Sequence, residues 1–283
     1  MSRSFNVRSS IRTITAAAAV PVAAGALLAV TATGSSATTT GETGRTKPTI
    51  VLVHGAFADG ASWSAVIDRL QRDGYPVVAT ANPLRGLRSD SAYLRSVLKS
   101  IKGPKILVGH SYGGSVISQT APGDKDVKAL VFVASFLLKP GESTGELANR
   151  YPGNTLGKNL ISTSYPLPGG GTAQELTIRQ DRYHKHFAAD VPAHTARILA
   201  AGQRPAAVAA LEEKATKAGW KTIPSYVLIA GKDRAIPLKA QRFMAKRAGA
   251  TTVTLKNASH AVAVSQPGAV ADLIRRAARE TAR

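Results

Sequence analysis

Short apolar segments alternate with amphipathic segments along most of the chain. Apolar segments bounded by Gly, Pro or polar residues are typical of strands that are buried on both faces of a sheet. Six such segments lie at residues 49–53, 76–80, 105–108, 127–134, 225–230 and 251–255. Apolar residues at helical spacing predict five helices near residues 63–70, 92–101, 114–120, 238–248 and 268–279. Because strands alternate with helices, the pattern predicts an α/β fold with a mainly parallel sheet flanked by helices.

This alternation is interrupted between residues 136 and 221. The interrupting segment contains Gly- and Pro-rich stretches, and helical patterns occur within it at residues 193–199 and 205–217. It is too long for a connecting loop, since most loops in compact domains are far shorter. We therefore expect an inserted, mostly helical cap at about residues 136–221, within one domain that spans residues 48–283.

The N-terminal segment has the pattern of a secretory signal peptide. Arg3, Arg8 and Arg12 precede an apolar stretch at residues 14–30, and Ser35-Ser36-Ala37 fits a cleavage site between small residues. No two arginines are adjacent in this segment, which favours the general export route over the twin-arginine route.

The expected products of export are a removed signal peptide and a secreted protein. The signal peptide would span residues 1–37, and a flexible linker rich in Thr, Gly and Ser would follow over residues 38–47. After cleavage, no stable membrane insertion is expected and the protein would be extracellular. The alternative is an uncleaved signal that anchors the protein to the membrane.

Composition excludes several classes of site and partner. The 283 residues are 44% hydrophobic and 19% charged, which is typical of a globular protein. The absence of Cys excludes disulfides, thiolate metal sites and a Cys nucleophile. The formal net charge is +20, but the positive residues form no run of five and aromatic residues make up only 5%. Nucleic acid is therefore not an expected partner.

A Gly-rich motif joins the third predicted strand to the helix that follows it. The motif reads Gly109-His110-Ser111-Tyr112-Gly113-Gly114 and matches the G-x-S-x-G pattern of a nucleophile elbow. Such a tight turn strains the Ser backbone, and Gly is needed beside it because larger residues would collide with the strand and the helix. The Ser hydroxyl then projects at the carboxyl edge of the sheet, beside a helix N-terminus that favours negative charge. We therefore predict that Ser111 is a catalytic nucleophile.

A serine nucleophile needs a base to take its proton and an acid to orient that base. In folds with this elbow, the acid and then the base follow the serine along the chain. Asp233 follows the fifth predicted strand and His260 follows the sixth, so both lie where a loop leaves the carboxyl end of a strand. These positions predict Asp233 as the acid and His260 as the base.

The remaining titratable residues are weaker candidates for catalysis. His54 and His110 lie next to Gly at the ends of strands, which favours a role in shaping turns. His184 and His186 lie two residues apart and would face different sides of a helix, so no metal site is predicted. Three further candidates fall within the expected cap, away from the sheet edge: Glu142, Asp190 and His194.

The oxyanion of a tetrahedral intermediate needs two backbone N–H donors. The amide of Tyr112, directly after the nucleophile, is one candidate. The other is expected in the loop after the first strand, where Ala56 is the preferred donor and Phe57 the alternative. We expect Phe57, Phe136 and Leu137 to line the substrate pocket, and neither a metal nor a cofactor is expected.

Together these residues resemble the α/β-hydrolase superfamily over about residues 48–279. Residues 51–63, which read Val-Leu-Val-His-Gly-Ala-Phe-Ala-Asp-Gly-Ala-Ser-Trp, resemble the branch that holds plant methyl esterases, hydroxynitrile lyases and many small bacterial esterases. Residues 188–192 and 232–237 are similar to the bacterial members. The resemblance implies acyl-enzyme chemistry without a metal or cofactor. It carries over the triad Ser111, Asp233 and His260 and the oxyanion donors Ala56 and Tyr112.

These observations predict a secreted serine carboxylesterase that acts on small esters. The lyases of this branch carry Thr after the first strand-end His and Lys after the catalytic His, whereas this chain has Gly55 and Ala261. Lyase activity is therefore not expected, because no cation would stabilise departing cyanide. The alternatives are an acyltransferase, a lipase-like enzyme or a binding protein that keeps the fold without catalysis. The sequence does not indicate an oligomeric state.

Overall fold

A parallel sheet forms the centre of the structure, a computed structural model that describes residues 47–281. The described residues form nine strands, numbered in chain order: β1 (Thr49–Val53), β2 (Val77–Thr80), β3 (Lys105–Ser111), β4 (Val127–Ser135), β5 (Leu160–Pro166), β6 (Thr172–Ile178), β7 (Ala206–Ala207), β8 (Ser225–Ala230) and β9 (Thr251–Leu255). Six of them form the central sheet in the order β2-β1-β3-β4-β8-β9, and all neighbouring pairs are parallel. These are the six strands that the sequence predicts.

Helices cover both faces of this sheet. The described residues form α1 (Ser64–Arg72), α2 (Leu87–Ser100), α3 (Tyr112–Thr120), α4 (Thr144–Asn149), α5 (Gln180–Phe187), α6 (Ala193–Gly202), α7 (Val208–Glu212), α8 (Leu238–Arg247), α9 (Val262–Ser265) and α10 (Pro267–Thr281). Buried side chains of α2, α3 and α8 pack on one face of the sheet, and those of α1 and α10 pack on the other. Alternate strand residues divide in the same way, since Val51 faces the first cluster and Ile50 the second. The predicted helices and their placement are confirmed, although α2 begins five residues early, at Leu87.

The order of the strands changes direction at β1. The chain adds β2 on one side of β1 and then crosses to form β3 on the other side. Connections on either side of such a point leave in opposite directions, which opens a crevice at the carboxyl ends of the two strands. The loop that begins at His54 follows β1, and Ser111 ends β3, so both lie at this crevice.

The segment between β4 and β8, residues 136–224, is the cap. Helices α4 to α7 make up the larger part of its regular structure. It also contains a three-stranded antiparallel sheet in the order β5-β6-β7. We did not predict these strands, because most side chains of β5 are exposed and show no apolar alternation. The prediction of a helix over residues 205–217 is wrong for most of this range. The range contains the strand β7 and only five helical residues, those of α7.

The predicted signal peptide over residues 1–37 lies outside the described residues, as does the linker except for its last residue, Lys47. None of the helices within residues 47–281 is both apolar and long enough to span a bilayer.

Candidate active site

The nucleophile elbow predicted at Ser111 is formed without any intervening loop. Ser111 is the last residue of β3, and Tyr112 is the first residue of α3. The backbone of Ser111 has a φ of 52°, in the left-handed region, which costs a residue with a side chain about 1–3 kcal/mol. The strain turns the chain sharply enough to leave the serine between strand and helix, at the carboxyl edge of the sheet.

Two glycines permit this turn. A Cβ atom at Gly113 would lie 2.3 Å from the carbonyl oxygen of Val53 in the neighbouring strand. One at Gly109 would lie 2.6 Å from the backbone of Gly113. No side chain fits at these separations, so α3 can pack against β1 and against the end of β3 only if both positions carry hydrogen alone.

A buried carboxylate orients the histidine predicted as the base. His260 Nδ1 donates to Asp233 Oδ2 over 2.7 Å, and both side chains are almost completely buried. The other oxygen, Oδ1, accepts from the backbone N–H groups of Ala235 at 2.7 Å and Ile236 at 2.9 Å. Gln241 Nε2 donates to Oδ2 at 3.2 Å. The unambiguous partners of Asp233, two backbone N–H groups and the Gln241 amide, are all donors, which suits an acceptor carboxylate and directs His260 Nδ1 to donate to it.

His110 supports the loop that carries His260. His110 Nε2 lies 2.9 Å from the carbonyl oxygen of His260. A carbonyl oxygen only accepts, so this ring nitrogen carries a hydrogen. Burial, together with the nearby His260, lowers the pKa of His110 to about 3. His110 is therefore a neutral side chain that shapes the turn, as the sequence analysis expects.

Ser111 and His260 line the same cavity, which has a volume of about 170 Å³. No hydrogen bond joins Ser111 Oγ to His260 within residues 47–281. Catalytic hydrogen bonds of this kind are often long until a substrate binds. The structure thus brings Ser111, His260 and Asp233 together at one edge of the sheet, with the serine and histidine open to a shared space.

The cavity is lined mostly by apolar side chains. Two of the three predicted pocket residues, Phe57 and Phe136, are among them. Leu137 is not: it packs into the buried core, and its N–H donates to the Met244 sulfur at 3.3 Å. The expectation for Leu137 is corrected accordingly: of these two adjacent buried residues, only Phe136 lines the cavity. The cap supplies further lining residues, which include Thr144, Asn149, Asn154, Leu156, Leu160, Leu176, Phe187 and Leu211.

The backbone groups predicted as oxyanion donors border this cavity. Tyr112 is the first residue of α3, so its N–H has no acceptor within the helix. Ala56 and Phe57 also line the cavity, and Phe57 has a left-handed φ of 62°. The Tyr112 hydroxyl donates to Asp90 Oδ2 at 2.8 Å, which anchors the start of α3. The candidate donors therefore come from two separate segments, the first turn of α3 and the loop after β1.

The other histidines considered as weaker candidates for catalysis form hydrogen bonds within the fold. His54 Nε2 accepts from the Asn82 N–H at 3.1 Å, and burial lowers the pKa of His54. His184 Nε2 lies 2.9 Å from the Val191 carbonyl oxygen, and His186 Nδ1 lies 2.8 Å from Thr155 Oγ1. Within residues 47–281, no three His, Asp or Glu side chains are grouped so as to hold a metal ion.

Four residues around the site were missed by the sequence analysis or assigned no role there. Gln241 binds the loop of Asp233, and Asp190 accepts from the Ser259 hydroxyl beside His260. Tyr183 and Phe187 come from the cap helix α5. Their apolar spacing of four residues in a polar segment was the available signal for α5.

Comparisons with known proteins agree with this architecture. The model of the alpha/beta hydrolase family matches residues 50–273. An α/β hydrolase from Aspergillus novofumigatus (strain IBT 16806) is 28% identical over 257 residues, which cover 83% of this chain and 98% of that protein. A pyrethroid hydrolase from Sphingobium wenxiniae (strain DSM 21828 / CGMCC 1.7748 / JZ-1) is 28% identical over 248 residues, which cover 80% of this chain and 85% of that protein.

Solved structures show the same fold. Polyneuridine aldehyde esterase superposes with a TM-score of 0.69 at 19% identity, over 81% of this chain and 98% of that chain. The family match covers most of the chain and includes the elbow and both loops that carry Asp233 and His260. The protein therefore belongs to the α/β-hydrolase family.

Proposed function

We propose that this hydrolase is a serine carboxylesterase that cleaves small, largely apolar esters. The observation that carries the proposal is the buried Asp233–His260 hydrogen bond of 2.7 Å beside a cavity that His260 shares with Ser111. Nucleophile, base and orienting acid are the three parts that acyl-enzyme chemistry requires. A binding protein with this fold would need none of them.

In the proposed reaction, Ser111 Oγ attacks the ester carbonyl carbon while His260 Nε2 takes the hydroxyl proton. Asp233 keeps the other ring proton on Nδ1 and stabilises the imidazolium. The C–O bond to the alcohol then breaks, and His260 returns its proton to the leaving oxygen. Water attacks the acyl-enzyme by the same route, which releases the carboxylic acid and regenerates Ser111.

The amides of Tyr112 and Ala56 are proposed to hold the oxyanion, with Phe57 as the alternative to Ala56. N–H groups that already point to one region stabilise developing negative charge without reorganising. The N-terminus of α3 adds a favourable dipole at the same place.

Two features support small apolar esters as the substrate class. A cavity of about 170 Å³ holds a short acyl chain or a single ring, and aromatic and aliphatic side chains line most of it. The name of one relative, a pyrethroid hydrolase, agrees with a hydrolytic reaction.

We further propose that the protein is exported through its N-terminal segment. The support is the sequence pattern of three arginines, an apolar stretch and small residues before residue 38. Expression of the full chain in an exporting bacterium, followed by N-terminal sequencing of the extracellular protein, tests this. A first residue near 38 is expected, whereas an intact N-terminus in the membrane fraction would contradict secretion.

The esterase proposal is tested by hydrolysis of p-nitrophenyl esters of increasing acyl length. Ser111→Ala is expected to reduce turnover to the background rate, and activity should decline as the acyl chain outgrows the cavity. Ser118→Ala is the matched control, since Ser118 is a buried serine farther along α3 that is not among the cavity residues. Equal turnover by the original protein and Ser111→Ala on every ester would refute the proposal.

A further inference from the structure

The cap helix α5 contacts both loops that the proposed reaction uses. Tyr183 and Phe187 lie four positions apart on α5 and therefore share one face of the helix. Both side chains are almost completely buried, with ring centres 4.8 Å apart. Most other positions of α5 carry polar or charged side chains. The two aromatic residues are thus the part of α5 that packs toward the catalytic loops.

Tyr183 binds the loop that follows β1. Its hydroxyl donates to the carbonyl oxygen of Phe57 at 3.1 Å. Phe57 has a left-handed φ of 62°, a conformation that persists only where surrounding contacts hold it. The hydrogen bond fixes the direction of the Phe57 carbonyl and so restricts the peptide groups next to it. The peptide group before it carries the Phe57 N–H, and the next one back carries the Ala56 N–H, which are the two alternatives proposed for the oxyanion donor on this loop.

The same cap segment binds the loop of His260. The ring centres of Phe187 and His260 lie 4.8 Å apart, with their planes at 69°. The carbonyl oxygen of Phe187 accepts from the Ala261 N–H at 3.0 Å, and Asp190 accepts from the Ser259 hydroxyl. The residues on either side of His260 are therefore hydrogen-bonded to a single stretch of the cap.

We propose that Tyr183 is a positioning residue for the oxyanion hole, which acts through its hydrogen bond to the Phe57 carbonyl. Through Tyr183 and Phe187, α5 keeps the oxyanion donors at a fixed distance from His260. This inference rests on the proposed esterase function. Tyr183 is not among the residues that line the cavity, so it acts through the loop and not on the substrate. Burial raises the pKa of Tyr183, which keeps the hydroxyl protonated and able to donate.

The test replaces only the hydroxyl. Tyr183→Phe keeps the ring and its packing, and we expect kcat to fall about 10- to 100-fold, a fraction of the loss from deleting an oxyanion donor. KM should change less than about threefold, because ground-state binding does not use the oxyanion donors. Tyr226→Phe is the matched control, since the Tyr226 hydroxyl also has a partner, Glu280 at 2.8 Å, but lies outside the cavity.

A second measurement separates positioning from general damage. A trifluoromethyl ketone mimics the tetrahedral intermediate. Ser111 Oγ adds to the ketone carbonyl carbon and its proton passes to His260, which leaves a negative oxygen in the oxyanion hole. Tyr183→Phe should weaken its inhibition constant by the same factor as kcat/KM. Binding of the product alcohol, which is neutral and brings no negative oxygen into the oxyanion hole, should stay unchanged, as should the thermal midpoint of unfolding to within a few degrees.

Three outcomes would count against the inference. Unchanged kcat and ketone affinity in Tyr183→Phe would refute it. An equal loss of ketone and product binding, with a lowered thermal midpoint, would also refute it, because that result marks a purely structural role. If the original protein hydrolyses esters no faster than Ser111→Ala, the esterase proposal itself is refuted, and the role of Tyr183 falls with it.

Discussion

Asp233 and His260 form a 2.7 Å hydrogen bond in which neither side chain is exposed by more than 1%. Water therefore cannot replace the carboxylate as the partner of His260 Nδ1. The position of the ring depends on the loop that holds Asp233, and that loop is fixed by the backbone donors of Ala235 and Ile236.

Asp233→Asn should abolish most activity while keeping the shape of the site. The two backbone donors would retain the amide oxygen of Asn, so its NH₂ group would face His260 Nδ1. His260 would then carry its proton on Nε2 and could not accept one from Ser111. We expect kcat for p-nitrophenyl acetate to fall about 10⁴-fold. Asp272→Asn on the exposed face of α10 is the control, and a loss smaller than tenfold at Asp233 would contradict the proposed role.

Gln241→Leu should destabilise the loop of the acid. The Gln241 amide donates to the carbonyl oxygens of Ala230 at 3.2 Å and Ile236 at 2.8 Å and accepts from the Ala230 N–H at 3.1 Å. Leu would leave buried polar groups without partners, which costs about 1–3 kcal/mol for each group. Urea unfolding should show a loss of at least 2 kcal/mol, roughly the cost of one or two such groups. A loss below about 0.5 kcal/mol would show that this network contributes little.

Gly113→Ala should prevent the elbow from packing against β1. The added methyl group would lie 2.3 Å from a backbone oxygen that cannot move without shifting the strand. We expect a loss of about 3 kcal/mol or more, or insoluble protein. Gly268→Ala is the control, because nothing lies within 4 Å of a Cβ atom there and Gly268 has a helical backbone in α10. Its unfolding free energy should change by less than about 1 kcal/mol.

The protein should lose stability between pH 6.5 and pH 3. The unfolded chain binds a proton at His110 below about pH 6.5, whereas the folded protein binds it only near pH 3. Protons therefore favour the unfolded state in this window, and His110 alone should reduce stability by about 2 kcal/mol at pH 5. Urea unfolding at pH 7 and pH 5 measures this. His110→Gln should show a smaller difference in unfolding free energy between pH 7 and pH 5. His54, whose pKa is also lowered, should account for part of the difference that remains.

The central fold could be predicted because its signals are local. Each buried strand is a short apolar run, and the elbow is a contiguous motif, so strand, turn and helix around Ser111 could be identified together. Asp233 and His260 were identified from their positions at strand ends, which is a consequence of topology. The distance between them depends on how the two loops that carry them pack together, and the sequence does not indicate that packing.

The cap could not be predicted in the same way. Strand β5 carries Ser, Thr and Tyr side chains that remain exposed, so its formation depends on pairing with β6 and leaves no apolar period. The contact between Tyr183 and Phe57 joins residues 126 positions apart, and nothing in either local sequence indicates it. Phe136 and Leu137 are adjacent apolar residues, and nothing in the sequence indicates which of the two side chains reaches the cavity.

The cap meets the proposed reaction centre through two separable parts. The segment from Tyr183 to Asp190 is hydrogen-bonded to the catalytic loops, whereas the β5–β6 hairpin reaches the cavity through Leu160 and Leu176. Exchanging those two leucines, or grafting a hairpin of another length, would reshape the proposed acyl pocket while the hydrogen bonds that hold the proposed base and oxyanion loop stay intact. For the proposed esterase, substrate range could thus diverge within this architecture without a matching loss of catalytic rate.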